Sequence, residues 1–180
     1  MQKKQLMSKK QLNDILDELI NKIIKKNKDM KDLVIIGIHT RGVYLAKRIA
    51  LKIKNSKKID VPQGSIDITF YRDDVSSLRK KHPTVKGTDI SFSIVNKNIL
   101  LVDDVIYTGR TIRAALNELI DFGRPQKIQL AVLIDRGNRE LPIHPDFTGK
   151  IINTPKHKKI KVQLKEIDET EGVVIYPVKS

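Results

Sequence analysis

Ile99-Leu100-Leu101-Val102-Asp103-Asp104-Val105-Ile106-Tyr107-Thr108-Gly109-Arg110-Thr111 runs from an apolar stretch through two adjacent acids into a turn rich in hydroxyls. Ile99–Val102 reads as a buried strand. Asp103–Arg110 reads as a polar turn. Thr111–Phe122 carries helical spacing and stops at Gly123, with Pro125 just beyond. In open α/β sheets, ligands bind at the carboxyl ends of the strands. There Asp103 and Asp104 can accept hydrogen bonds from a diol. Thr108, Gly109, Thr111 and the free N–H groups of a helix start make an anion cradle. A ribose 5-phosphate satisfies both features at once. An ordinary strand–turn–helix, with the acids capping the helix and Gly109 only turning the chain, accommodates each residue singly. Two neighbouring acids at a strand tip repel each other without a bound partner, which disfavours that alternative. The chain has no G-x-x-x-x-G-K-[ST], so a nucleoside-triphosphate P-loop is not supported.

Outward from this segment, strands and helices alternate. Ser8-Lys9-Lys10-Gln11 has the form of a capping box. Leu12, Ile15, Leu16, Leu19, Ile20, Ile23 and Ile24 follow as one helical stripe. Leu33–Ile38 is a β-branched run typical of a buried strand, broken by Thr40-Arg41-Gly42, and Val43–Ile53 is helical in spacing. Gly64–Tyr71 alternates as a strand. Residues 72–91 are polar and aperiodic, and are expected to form a long mobile excursion. Ile128–Ile134 is a further central strand, Asp135–Lys150 is irregular, and Val162–Ile167 and Val173–Val178 are two short strands around the acidic turn Asp168–Glu171. The pattern predicts an α/β fold with a mostly parallel sheet. No internal repeat or linker divides it, so residues 1–180 are read as one domain.

Composition bounds the chemistry. At 180 residues the chain can bury a real core. With no cysteine, disulfide frameworks, iron–sulfur clusters, cysteine–zinc sites and thiol catalysis are excluded. His39, His82, His144 and His157 lack ligand spacing to one another. No apolar run is long enough to cross a bilayer and no signal sequence is evident, so a soluble cytoplasmic protein is expected. The net charge is +14, and residues 1–60 hold 16 basic and 6 acidic side chains. Such a field attracts RNA, DNA or phosphorylated metabolites. A lysine-rich solvated surface accounts for it equally well, and Lys22, Lys25, Lys26 and Lys28 suit the carboxyl end of a helix. Aromatic residues make up only 4%, which argues against binding single strands by base stacking.

Residues 99–111 resemble the phosphoribosyl pyrophosphate (PRPP) signature of type I phosphoribosyltransferases. Gly37–Ala46, Asp67–Asp74, Gly123-Arg124-Pro125 and Asp135–Ile143 extend the likeness over almost the whole chain. The D-R-G-x-R-E-L-P stretch resembles the branch that combines regulation of pyrimidine operon attenuation with uracil phosphoribosyltransferase activity. The resemblance implies the type I fold, transfer of phosphoribose from PRPP to uracil to give UMP and pyrophosphate, and an oxocarbenium-like transition state. Asp103 and Asp104 would hold the ribose hydroxyls and act with Arg41 in catalysis. Thr108, Gly109, Arg110 and Thr111 would hold the 5-phosphate, with Val105, Ile106 and Tyr107 completing the nucleotide-binding signature. Thr40 and Arg41 match a pyrophosphate loop, although by position alone Arg41 is a surface helix-start arginine. Mg2+ would be held indirectly by Asp103 and Asp104, through PRPP or water.

The excursion 72–91 would be a hood over PRPP, with Arg72 at its base; an exposed loop arginine fits Arg72 as well. Asp73-Asp74 resembles a metal pair, with hinge carboxylates the alternative. Arg136 would lie near the base or the pyrophosphate, the alternative being a turn arginine. The branch also implies binding of pyrimidine-gene leader mRNA, tightened by UMP, with Lys26 and Lys150 as RNA contacts, and a homodimer or higher homo-oligomer. Asp17, Asn21 and His144 depart from the branch's RNA-face pattern. Two other readings are carried: a phosphoribosyltransferase for a purine base without an RNA role, and a non-catalytic UMP-sensing RNA binder.

Overall fold

The computed structural model describes residues 3–68 and 87–177. Arg72, Asp73, Asp74, His82, the rest of the hood through residue 86, and Thr69–Tyr71 of the expected strand lie outside the described residues. The elements in chain order are β1 (Lys4–Met7), α1 (Lys9–Lys26), β2 (Leu33–Ile38), α2 (Arg41–Lys57), β3 (Gln63–Ile66), β4 (Asn98–Ile106), α3 (Arg110–Asp121), β5 (Lys127–Asp135), β6 (Phe147–Ile151), β7 (Lys158–Gln163) and β8 (Gly172–Pro177).

β3-β2-β4-β5-β6 form a parallel sheet, and β1-β8-β7 form a smaller antiparallel one. From β2 the chain crosses outward through α2 to β3; from β4 it crosses the other way through α3 to β5. The order therefore reverses between β2 and β4, where a crevice opens at the carboxyl ends. The capping box forms as expected: Gln11 N–H donates to Ser8 Oγ at 3.3 Å, and Ser8 N–H to Gln11 Oε1 at 2.9 Å. The stripe Leu12, Leu16, Leu19, Ile20 and Ile23 of α1 packs with Leu45, Ile49 and Ile53 of α2 on one face of the parallel sheet. Ile112, Ala115 and Leu119 of α3 cover the other face over Val34, Ile36 and Leu101. Each large aliphatic side chain buried this way contributes about 1.5–3 kcal/mol.

Several boundaries differ from the expectations. β4 does not stop at Val102 but runs to Ile106, so the polar turn shrinks to Tyr107–Gly109. β5 continues beside it to Asp135, and that pairing carries the two acids as strand residues. Phe147–Ile151 is an edge strand within the stretch expected to be irregular; Pro142, Pro145 and Gly149 mask its short pattern. β7 lies at Lys158–Gln163 rather than Val162–Ile167. Lysines alternate there with Ile160 and Val162, and the strand is paired along its length with β8. β1 was not expected, because Lys4–Met7 acquires its order only by pairing with β8.

Candidate active site

β2 pairs with β4 only as far as Gly37 and Val102. Beyond that register β4 continues without β2 beside it, so Asp103 and Asp104 emerge at the rim of the sheet. Both line a cleft of about 680 Å³ with His39, Thr40, Arg41, Val105, Ile106, Tyr107, Thr108, Gly109, Thr111 and Arg136. Asp103 Oδ1 accepts the Asp104 N–H at 2.8 Å. Burial pushes the Asp104 carboxyl above the ordinary carboxylate range, and its hydrogen bond with Asp103 and the charge of Arg41 pull the other way.

α3 opens directly onto the cleft. Its first intrahelical bond runs from Arg113 N–H to the Gly109 carbonyl, so the Arg110, Thr111 and Ile112 amides have no acceptor within the helix. The Arg110 amide meets Thr108 Oγ1 at 3.4 Å. Gly109 sits at φ +95°, a conformation that glycine adopts without strain. Thr108, Gly109 and Thr111 line the cleft. The Arg110 side chain does not join them; its Nε donates to Glu140 Oε2 at 2.9 Å.

The loop between β2 and α2 supplies the opposite wall. The His39–Thr40 peptide bond is cis. A Cβ on Gly42 would lie 2.3 Å from the Val102 carbonyl oxygen and 3.2 Å from Asp103 Cα. Glycine at this position lets α2 press against β4 and brings Arg41 to the acid pair. Arg41 Nη2 donates to both oxygens of Asp168, at 3.2 and 3.1 Å.

Arg136 is not an exposed turn residue. It is buried; its Nε donates to Thr154 Oγ1 at 2.9 Å, its Nη2 to the Lys158 carbonyl at 2.5 Å, and its guanidinium stacks 4.1 Å from the Tyr107 ring centre. Burial lowers its pKa from the usual arginine value. It joins the parallel sheet to β7, which roofs the cleft.

Sequence reasoning missed that roof. Lys156, Lys159, Ile160, Lys161 and Tyr176 line the cleft from β7, β8 and the residues before β7. Lysines two apart on a strand share a face, a signal visible at Lys159 and Lys161 once the strand is placed there. Arg139 was also missed. Its Nη2 donates to Asp135 Oδ2 at 2.6 Å, its Nη1 to the Tyr107 carbonyl at 2.8 Å and its Nε to the Ile143 carbonyl at 2.9 Å. Glu140 and Leu141 amides donate to the Thr108 carbonyl at 2.9 and 3.2 Å. The 135–143 stretch thus buttresses the turn that opens α3 from behind.

A second, basic face runs along the seam of α1 and β6. Lys22 Nζ donates to the Thr148 carbonyl at 3.4 Å, and Lys26 Nζ to Asp146 Oδ1 at 3.1 Å while lying 5.2 Å from the Phe147 ring centre. Lys150 is exposed on β6. Asp17 is paired with Lys52 at 3.0 Å. Asn21 and His144 are exposed. No helix among the described residues is long and apolar enough to cross a membrane.

A strand-tip acid pair, a helix-start anion cup and an arginine loop converging at the switch point of a parallel sheet define a type I phosphoribosyltransferase. The phosphoribosyl transferase domain model matches residues 2–167. The chain is 49% identical over 173 residues to "Bifunctional protein PyrR" of Latilactobacillus sakei, covering 96% of this chain and 97% of the relative. It is 47% identical over 176 residues to the protein of the same name from Bacillus subtilis, covering 97% of each. A hypoxanthine phosphoribosyltransferase from Staphylococcus aureus superposes with a TM-score of 0.67 at 21% identity, covering 98% of this chain and 92% of that one, a likeness of fold. The chain belongs to the phosphoribosyl transferase domain family and, within it, to the bifunctional PyrR proteins.

Proposed function

We infer that the chain transfers phosphoribose from PRPP to uracil, yielding UMP and pyrophosphate, and regulates pyrimidine genes through UMP-responsive transcription attenuation. The observation that carries the enzymatic half is the placement of Asp103 and Asp104 beside the open first turn of α3. In this reading the two carboxyls accept the ribose 2′- and 3′-hydroxyls. Thr108, Gly109, Thr111 and the amides of the turn and first helical turn hold the 5-phosphate, with Val105, Ile106 and Tyr107 as the wall behind the ribose. Thr40 and Arg41 face the pyrophosphate. The base lies toward Tyr107, Ile160 and Tyr176, which supply the apolar and aromatic part of the lining. Arg136 acts by stacking on Tyr107 and fixing the roof. Arg110 contributes its backbone amide.

As the bond from the ribose C1 to the pyrophosphate oxygen lengthens, positive charge grows on the sugar and negative charge on the leaving group. The acid pair fixes the ribose and faces the cation, while Arg41 faces the anion. Uracil N1 bonds to C1 as the C1–O bond breaks, and the proton it gives up leaves with the pyrophosphate or to water. Catalysis is then mostly positioning and charge stabilisation.

Phosphoribosyltransferases use Mg2+ with PRPP. The donor set here suits it: two carboxyls in the cleft are hard oxygen ligands, and among the described residues no third carboxylate or imidazole joins them to form a cage. Asp103 and Asp104 would hold the ion through water or PRPP oxygens, where it supplies positive charge to the diphosphate.

The RNA role rests on the relatives' branch and on the basic seam. Lys26 at the end of α1 and Lys150 on β6 are proposed contacts to the leader mRNA of pyrimidine genes, and Lys22 extends that surface. The same reading places the protein in the cytoplasm as a homodimer or larger homo-oligomer, checked by light scattering.

The test is a base panel. The chain, PRPP and Mg2+ are incubated with labelled uracil, hypoxanthine or guanine. UMP formation alone supports the reading. Turnover of a purine but not of uracil overturns it, and absence of turnover with retained UMP binding makes the protein a sensor.

A further inference from the structure

Lys161 of β7 and Arg41 of α2 approach the same carboxylate from different layers of the fold. Asp168, in the turn between β7 and β8, receives Lys161 Nζ at 2.6 Å on Oδ1. Arg41 Nη2 bonds both oxygens, and the Leu164 N–H completes the set at 3.2 Å on Oδ2. Burial opposes the charge on Asp168, yet the two cations hold its pKa below the ordinary value. Arg41 and Lys161 both line the cleft, whereas Asp168 stands behind them. Two cations share one anion, so the cluster keeps a net positive charge facing the cleft. The Arg41 Nε is buried and has no acceptor among the described residues.

The turn has a separate anchor. Arg48, two helical turns along α2, donates to Glu166 at 2.9 and 2.7 Å and to Glu171 at 2.5 Å. The tie between the turn and α2 therefore does not depend on Asp168. What Asp168 adds is to bring an ammonium and a guanidinium together at one point of the cleft wall. Both are long side chains that lose rotamer freedom when a ligand fixes them. A carboxylate that already holds both removes that cost from ligand binding.

We propose that Asp168 is a positioning residue that assembles Arg41 and Lys161 into a two-cation seat for the diphosphate of PRPP and for released pyrophosphate. Lys161 is thereby a diphosphate-binding residue contributed by the roof. This assignment rests on the reading of the cleft as a phosphoribosyltransferase site.

The test uses the full chain and the variants Asp168→Asn, Asp168→Glu, Lys161→Met and the double variant Asp168→Asn/Lys161→Met. Binding of inorganic pyrophosphate with Mg2+ is measured by calorimetry, and KM for PRPP and for uracil by steady-state kinetics. Asp168→Asn should weaken pyrophosphate about tenfold and raise the PRPP KM by a similar factor, leaving the uracil KM unchanged. Asp168→Glu should recover most of the loss. Lys161→Met should cost several-fold alone and little more on top of Asp168→Asn, because both changes dismantle one seat. Lys161 is 39% exposed, so its variant should fold even if those at Asp168 do not.

Unchanged or tighter pyrophosphate binding in Asp168→Asn, equal losses toward uracil and PRPP, or additive effects in the double variant would each overturn the proposal. So would a native chain that fails to bind pyrophosphate. If pyrophosphate binding follows the expected pattern but uracil is not a substrate, the seat stands and the base assignment fails.

Discussion

Arg139 donates to the backbone carbonyl of Tyr107 across 2.8 Å, while its other terminal nitrogen grips Asp135 at 2.6 Å. This one side chain ties the end of β5 to the loop that opens α3. Lysine carries a single ammonium and cannot make three forked contacts at once. Arg139→Lys should therefore loosen the phosphate cup, raising KM for PRPP and Kd for UMP about tenfold. It should also lower stability by about 1–3 kcal/mol, since buried acceptors lose their donor. Calorimetry with UMP and a denaturant titration check both parts. Unchanged UMP affinity would show that the cup does not depend on this brace.

Gly42→Ala tests the close approach of α2 to β4. The added methyl would meet the Val102 carbonyl oxygen, a backbone atom that cannot swing away. Overpacking of this kind costs about 1–3 kcal/mol. The helix start should be displaced, carrying Arg41 off the acid pair. The expected result is a lower melting temperature and a PRPP KM raised more than the uracil KM. Full PRPP affinity in a destabilised variant would separate the packing role from the positioning role.

The strand–turn–helix of residues 99–111 was legible because its apolar run, its acids and its glycine lie next to each other in sequence. The same holds for α1, whose cap and stripe are local. The roof was not legible. Lys159 and Lys161 acquire meaning only when β7 pairs with β8 and folds back over the cleft, a contact between distant parts of the chain. Arg136 and Arg139 look alike in a polar turn, yet one is buried against Tyr107 and the other braces its carbonyl. Asp168 was legible only as part of an acidic turn; its partner Arg41 lies 127 residues away. Arg41 itself matched a pyrophosphate loop by resemblance, while its position alone pointed to the surface.

Asp104 should illustrate a conflict between stability and activity. Burial raises its carboxyl pKa, so the folded chain holds this proton at pH values where the unfolded chain has released it. The raised pKa thus favours folding on the acid side and costs stability as pH climbs through the folded-state value. Asp104→Asn removes the ionisation. At pH 8 it should stabilise the ligand-free chain by about 0.5–2 kcal/mol, or about 2–4 °C per kcal/mol, while abolishing turnover. At about pH 3, below the ordinary aspartate value, where folded and unfolded chains both hold the proton, the gain should shrink toward zero. Melting curves at the two pH values decide. A gain that grows on acidification would contradict the assignment.

The basic seam makes a prediction that catalysis does not share. Lys150 lies on β6, and Lys26 at the end of α1 pairs with Asp146 just before that strand, which is on the far side of β5 from β4 and the acid pair. If they meet RNA phosphates, each removed contact should flatten the plot of log affinity against log salt by about 0.7–0.9. Lys150 is exposed, so Lys150→Ala should lose a full contact. Lys26 already pairs with Asp146 at 3.1 Å, and its charge is partly spent within the protein. Lys26→Ala should therefore change the slope less than Lys150→Ala. Asp146→Asn should do the opposite, freeing the ammonium and strengthening RNA binding modestly at low salt. Uracil turnover should be unchanged in Lys150→Ala and Lys26→Ala. Filter binding of a pyrimidine leader hairpin across a salt series, with and without UMP, gives the slopes. If Lys150→Ala lowers RNA affinity and turnover together, one surface serves both activities, and the separation of seam and cleft is wrong.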